Sequence, residues 1–206
     1  VPYQHGSWRN IMSLLPYASL THRRKAYRAG DVVLLSSQTA SNSASLTFSS
    51  GIDSTYGEYI FRFYNINPAT DSTDFQFQAN ATDSTSYDET ITSTAFAAQH
   101  AEADDDAALS YQGGMDQEQG TAYQFLNYDL ANDSDGSLAG ELHLFNPSST
   151  TYVKHFIAQT HHMFEANYAS HFFIAGYINT TTAIDDIQFK MNSGNFDGTI
   201  KLWGVL

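Results

Sequence analysis

From Asp31 to the end of the chain, apolar and polar residues alternate in short runs, separated by clusters of Ser, Thr, Asn, Asp and Gly. A period of two is the signature of half-buried strands. The runs 32–37 (VVLLSS) and 44–49 (ASLTFS) flank a polar turn, QTASNS. In 58–66 (EYIFRFYNI), Tyr59, Phe61 and Phe63 share one face, and Ile60, Arg62 and Tyr64 share the other. Asn67-Pro68 should end that strand, because proline cannot donate to a ladder. In 74–80 (DFQFQAN), Phe75, Phe77 and Ala79 oppose Gln76, Gln78 and Asn80. Further runs at 91–98, 122–130, 138–146, 151–159, 171–178, 184–191 and 199–205 bring the count to about eleven. Short strands with turns at close intervals predict an all-β fold, a single antiparallel β-sandwich that is jelly-roll-like. No strand–helix alternation supports a parallel nucleotide-binding sheet, and no fixed repeat supports a propeller. The last run, with Ile200, Leu202 and Trp203, should be tied into the sheet and bury the C-terminus at one edge.

Residues 1–30 follow a different pattern and divide the chain into an N-terminal arm and a sandwich domain over 31–206. Ser7 can cap a short helix in which Trp8, Ile11, Met12 and Leu15 share a face, with Pro16 ending or kinking it. The linker-like THRRKAYRAG follows, with Arg23, Arg24 and Lys25 in sequence. Two readings fit: a helix packed on its own domain, or an assembly anchor that docks on another subunit. The opening VPYQHGSWRN has neither an initiator Met nor a signal-peptide layout, and reads as a processed or trimmed end.

Charge sharpens this division. Five basic side chains and no acid lie in residues 1–30, whereas 31–206 hold four basic and 22 acidic residues. Such an acidic body repels nucleic acid and anionic membrane surfaces. No apolar run approaches the ~18 residues of a membrane span. The chain has no cysteine, which excludes disulfides and thiolate metal sites. Its size allows a large core without such staples.

Three acidic, Ser- and Gly-rich stretches, 82–89, 101–120 and 131–137, read as exposed loops, the second long enough to project. Asp104 and Asp106, or Asp133 and Asp135, offer oxygen ligands of the kind calcium takes, without the spacing of an EF-hand; a solvated acidic turn is the alternative. Glu141 and His143 share a strand face, as do His155 and His161, whereas His161 and His162 point oppositely. None of these has the spacing of known zinc sites. Nucleophile-elbow, P-loop, dinucleotide-binding and HExxH motifs are all absent, so no catalytic residue or cofactor is assigned. Tyr87, Tyr111, Tyr123 and Trp203 are candidates for stacking on a receptor glycan, since each has an apolar face and a polar edge.

Three blocks in order carry a resemblance: SSGIDSTYGEYIFRFYNINPATDSTDFQFQ (49–78), LHLFNPSSTTYVKHF (142–156) and INTTTAIDDIQFKMNSGNFDGTIKLWGV (178–205). Together they resemble a family of tailed-phage virion proteins from marine and freshwater phages, cyanophage-like, described as structural or tail-fibre proteins. The resemblance covers residues 31–206 and leaves the arm outside. It implies a place on the virion, in the tail or on a fibre, beside other virion proteins. It also implies many copies, read as a homo-oligomer and taken as a trimer; host-surface polysaccharide is a candidate partner of the exposed module, the family's receptors being largely unassigned. A capsid decoration or head-fibre protein, and a carbohydrate-binding or carbohydrate-cleaving module, are the alternatives.

Overall fold

The computed structural model describes residues 30–164 and 167–206, and among them the chain forms strands and no helix. In chain order these are β1 (Val32–Ser43), β2 (Ser45–Phe48), β3 (Glu58–Pro68), β4 (Phe75–Ala81), β5 (Ile91–Ala101), β6 (Ala107–Tyr111) and β7 (Glu118–Gly120). Then come β8 (Gln124–Phe125), β9 (Leu138–Phe145), β10 (Lys154–Phe164), β11 (Tyr168–Ile178), β12 (Ile184–Met191) and β13 (Phe196–Val205). They build two antiparallel sheets packed as a sandwich. The larger runs β1-β13-β3-β9-β10-β11-β5-β6, with β7 also on β5, and the smaller runs β2-β12-β4-β8. The pairing nests from both chain ends: β1 lies on β13, and β2 on β12. The hairpins β5–β6 and β10–β11 widen the larger sheet beyond β9.

The predicted phase of alternation holds where phenylalanines mark it. Tyr59, Phe61, Phe63, Phe75 and Phe77 are all buried between the sheets. Phe189 of β12 is the hub of this seam, with Phe48, Phe61, Phe63, Phe75 and Phe77 at ring-centroid distances of 5.2–6.3 Å. Edge-to-face and offset arrangements let the rings fill the gap between sheets without voids.

Several boundaries differ from the sequence reading, each for a local reason. The stretch QTASNS is strand throughout: β1 runs on to Ser43 because its polar side chains find partners, Gln38 on the Thr47 carbonyl and Thr39 on Thr199. Pro68 closes β3 opposite Phe196, at the last ladder position, where a missing N–H costs nothing. A register shift at Phe63/Ile66, with Asn65 at φ 51°, re-aims the strand just before it. The excursion 101–120 carries β6 and β7, and the run at 122–130 is strand only at Gln124–Phe125. The final strand is interior, not at an edge: β13 lies between β1 and β3, with Phe196, Ile200 and Leu202 buried.

The second face of β4 is buried as well. Gln76, Gln78 and Asn80 are each under a tenth exposed, because loop segments lie across the smaller sheet. The Gln78 amide donates to the carbonyls of Glu89 and Ala122, at 3.0 Å each, and to that of Thr121 at 3.2 Å. Gln124 donates to the Met115 carbonyl and accepts from the Ser93 hydroxyl. Side-chain amides thus bolt the loops down and satisfy carbonyls that burial would otherwise strand.

The arm, with Trp8, Ile11, Leu15, Arg23, Arg24 and Lys25, lies outside the described residues, apart from Gly30, whose N–H donates to the Leu206 carbonyl at 2.7 Å.

Candidate functional site

The outer face of the larger sheet holds a row of interacting polar side chains. His143 on β9 places Nδ1 2.5 Å from Glu58 and Nε2 3.1 Å from Glu141. Each ring nitrogen thus faces a carboxylate, an arrangement that suits the doubly protonated imidazole, which donates from both. Burial pulls its pKa down, but its hydrogen bonds to Glu58 and Glu141 outweigh that and leave it raised. Glu141 also accepts from Arg62 Nε at 3.2 Å, and the Arg62 guanidinium sits 5.8 Å from the Trp203 ring centre. The expectation that Glu141 and His143 share a face is met by direct contact.

At one end of this face the surface opens into a groove of two hollows, of about 880 and 580 Å³, which meet at Phe145 and His155. Tyr56, Phe145, Tyr152, His155 and Tyr177 supply its rings. Ser54, Asn146, Ser148, Thr151, Thr181 and Thr94 supply hydroxyls and an amide. None of the residues lining it is Asp, Glu, Lys or Arg.

Each wall is fixed by the fold. Tyr56 arrives on the loop before β3, which the Tyr59 hydroxyl clamps by accepting from Asp53 N at 2.9 Å and donating to the Asp53 carbonyl at 2.8 Å. Its ring lies over Gly204, where a Cβ would come within 2.6 Å of it. Asn146 leaves β9 at φ 46°, in a turn whose Ser149 hydroxyl accepts from the N–H groups of Thr151 and Tyr152. The chain enters β10 at Lys154, whose fully buried ammonium donates to the carbonyls of Tyr152 at 2.9 Å and Thr180 at 3.0 Å. Burial lowers the Lys154 pKa, against the opposing pull of Glu89. This cation ties together the two loops that bear Tyr152 and Thr181. Tyr177 packs edge-on to His155 across the β10–β11 ladder.

Of the four ring candidates from the sequence only Tyr87 and Tyr123 are neighbours, and none of the four lines this groove. Tyr87 and Tyr123 lie on the loops covering the smaller sheet. Burial raises both phenols; Tyr123 donates to Gln188 at 2.5 Å and carries the Lys190 ammonium 4.2 Å over its ring. Tyr111 is exposed on β6, bonded to Asp116. Trp203 stands on the outer face of the larger sheet with Arg62, outside the two hollows. The rings that do converge, Tyr56, Phe145, Tyr152 and Tyr177, come from segments far apart in sequence. Only the block 145–155 gave a local signal, a turn rich in hydroxyls before a strand.

The calcium candidates lie in two separate turns. Asp104 faces His100 at 3.3 Å and Asp106 accepts from Tyr168, at the β5–β6 turn. Asp133 and Asp135 lie in the turn before β9, where Asp133 uses its backbone carbonyl to bind Asn67 and Gly136. Among the described residues, no three His, Asp or Glu side chains gather as a metal site. His161 and His162 do point oppositely: His161 is exposed beside His171, and His162 is buried with Nε2 2.9 Å from the Tyr128 carbonyl.

Comparison of the chain with protein-family models, curated proteins and solved structures finds no match. The fold and this outer face therefore carry the functional argument.

Proposed function

We propose that this chain is a non-enzymatic structural protein of a phage virion, in the tail or on a fibre, which presents its sandwich for contact with the host surface. The observation that carries this reading is the groove: an open, ring-lined, uncharged recess on the rim of an otherwise acidic molecule. Concave sites with rings and a few placed polar groups are the usual form of ligand sites. The order β1-β13-β3-β9 facing β2-β12-β4-β8 supports the jelly-roll reading, a layout that recurs in viral capsid and lectin domains. That support is analogy of fold. The three blocks that resemble phage virion proteins add to it.

Binding without cleavage is favoured by where the carboxylates lie. Asp74, Glu89 and Asp185 have raised pKa values, each chiefly through burial, yet none of them lines the groove. Asp74 is occupied by Asp129 N at 2.9 Å and Asn192 Nδ2 at 2.6 Å. Assembly in several copies, as a trimer beside other virion proteins, would let weak sites add through avidity. Electron microscopy of intact particles labelled with antibody to this chain tests the reading. Label on the tail or fibres is the expected outcome. Label confined to the capsid shell would transfer the chain to the head, and unlabelled particles would remove it from the virion.

A further inference from the structure

We infer that the groove binds a neutral, polyhydroxylated glycan, which stacks on Tyr152 and Tyr177. The inference deepens the proposed function and rests on it only for the source of the glycan; binding itself belongs to the isolated protein. Three observations point to this ligand class. First, the groove offers ring faces at a surface. Tyr152 is 73% exposed, and a tyrosine that open is poorly explained by packing. The flat carbon face of a sugar ring matches such a phenol face, while its hydroxyls reach polar neighbours.

Second, polar groups stand ready. Among the described residues, the side chains of Ser54, Ser148, Thr151, Thr181 and Asn146 make no hydrogen bond to protein, although all five border the groove. A purely apolar occupant would leave these groups unpaired as it displaced their water. A polyol satisfies them.

Third, charge is absent where the rest of the molecule is rich in it. A uronate or sulfated polymer would meet no Lys or Arg in the groove, and would also approach a chain of net charge −13. A basic peptide would find no carboxylate. The uncharged stretch ends where the surface runs on along β10 over Ile157 and Gln159, because the smaller hollows there are walled by Glu141 and His143.

Affinity gel electrophoresis of the purified protein through gels containing a neutral glucan, a mannan, a galactan or alginate tests this. At least one neutral polymer should retard migration, and alginate should not. Tyr152→Ala, and separately Tyr177→Leu, should each weaken that retardation about tenfold with the melting temperature of the exposed Tyr152→Ala variant unchanged. Retardation by none of the neutral polymers, preference for alginate, or retardation that survives both substitutions would overturn the inference. Since virion labelling is independent of this binding, the two ideas can fail separately.

Discussion

His162 shows how one side chain can govern the response of this protein to acid. It is 1% exposed, with Nε2–H given to the Tyr128 carbonyl, Nδ1 without a partner, and its ring stacked 5.5 Å from Phe172. Protonating Nδ1 would bury an unpaired N–H in a charged ring. Burial, with a smaller push from His161, lowers its pKa to about 4. Between the ordinary value of 6.5 and 4, the unfolded chain takes up a proton that the folded one refuses. Stability is therefore lost as pH falls through that window, by about 3 kcal/mol from this residue. His143 acts in the other direction: its raised pKa stabilises fully below its ordinary value, and that contribution fades as pH rises through the folded value. Urea unfolding at pH 7 and pH 4 of the native protein and His162→Gln, which keeps a donor for Tyr128, separates the two. The native protein should lose more stability than the variant by about 3 kcal/mol; parallel losses would show that His162 does not titrate this way.

At the scale of elements, strands were legible wherever one face alone is apolar. Tyr59, Phe61 and Phe63 announced their side of β3 because the other carries half-buried Arg62 and exposed Tyr64, although Ile60 on that face is buried too. The burial of Gln76, Gln78 and Asn80 was not legible, since their partners are carbonyls of remote loops and any loop offers carbonyls. The groove was hidden for a related reason. Its walls come from loop 54–57, the β9–β10 turn, β11 and β5, which become neighbours only through the ladder order. Strand identity could be read from alternation; strand adjacency could not. The interior place of β13 has a direct consequence. Removing residues 199–206 deletes buried Ile200 and Leu202 and strips ladder partners from both β1 and β3. The truncated chain should be insoluble or lack a cooperative melt by circular dichroism. A sharp melt near that of the full chain would mean the two sheets hold without it.

For the whole molecule, the main physical contrast is between a charged body and an uncharged groove. An aromatic seam centred on Phe189 sets the two sheets face to face and frees the outer face of the larger sheet for contact. The amide-bolted loops cover the smaller sheet, so the two outer surfaces differ in character: one closed by polypeptide, one lined with rings and histidines. Rigid walls suit recognition, because a preformed site loses less entropy on binding. Lys154 contributes to that rigidity from within, joining two groove loops through their carbonyls. Competition for particle adsorption measures the central claim most directly. Host cells are exposed to phage in the presence of excess purified protein, native or Tyr152→Ala/Tyr177→Leu. The native protein should slow adsorption several-fold and the double variant should leave it unchanged. No slowing by the native protein, or equal slowing by both, would contradict the assignment of this groove to host-surface contact.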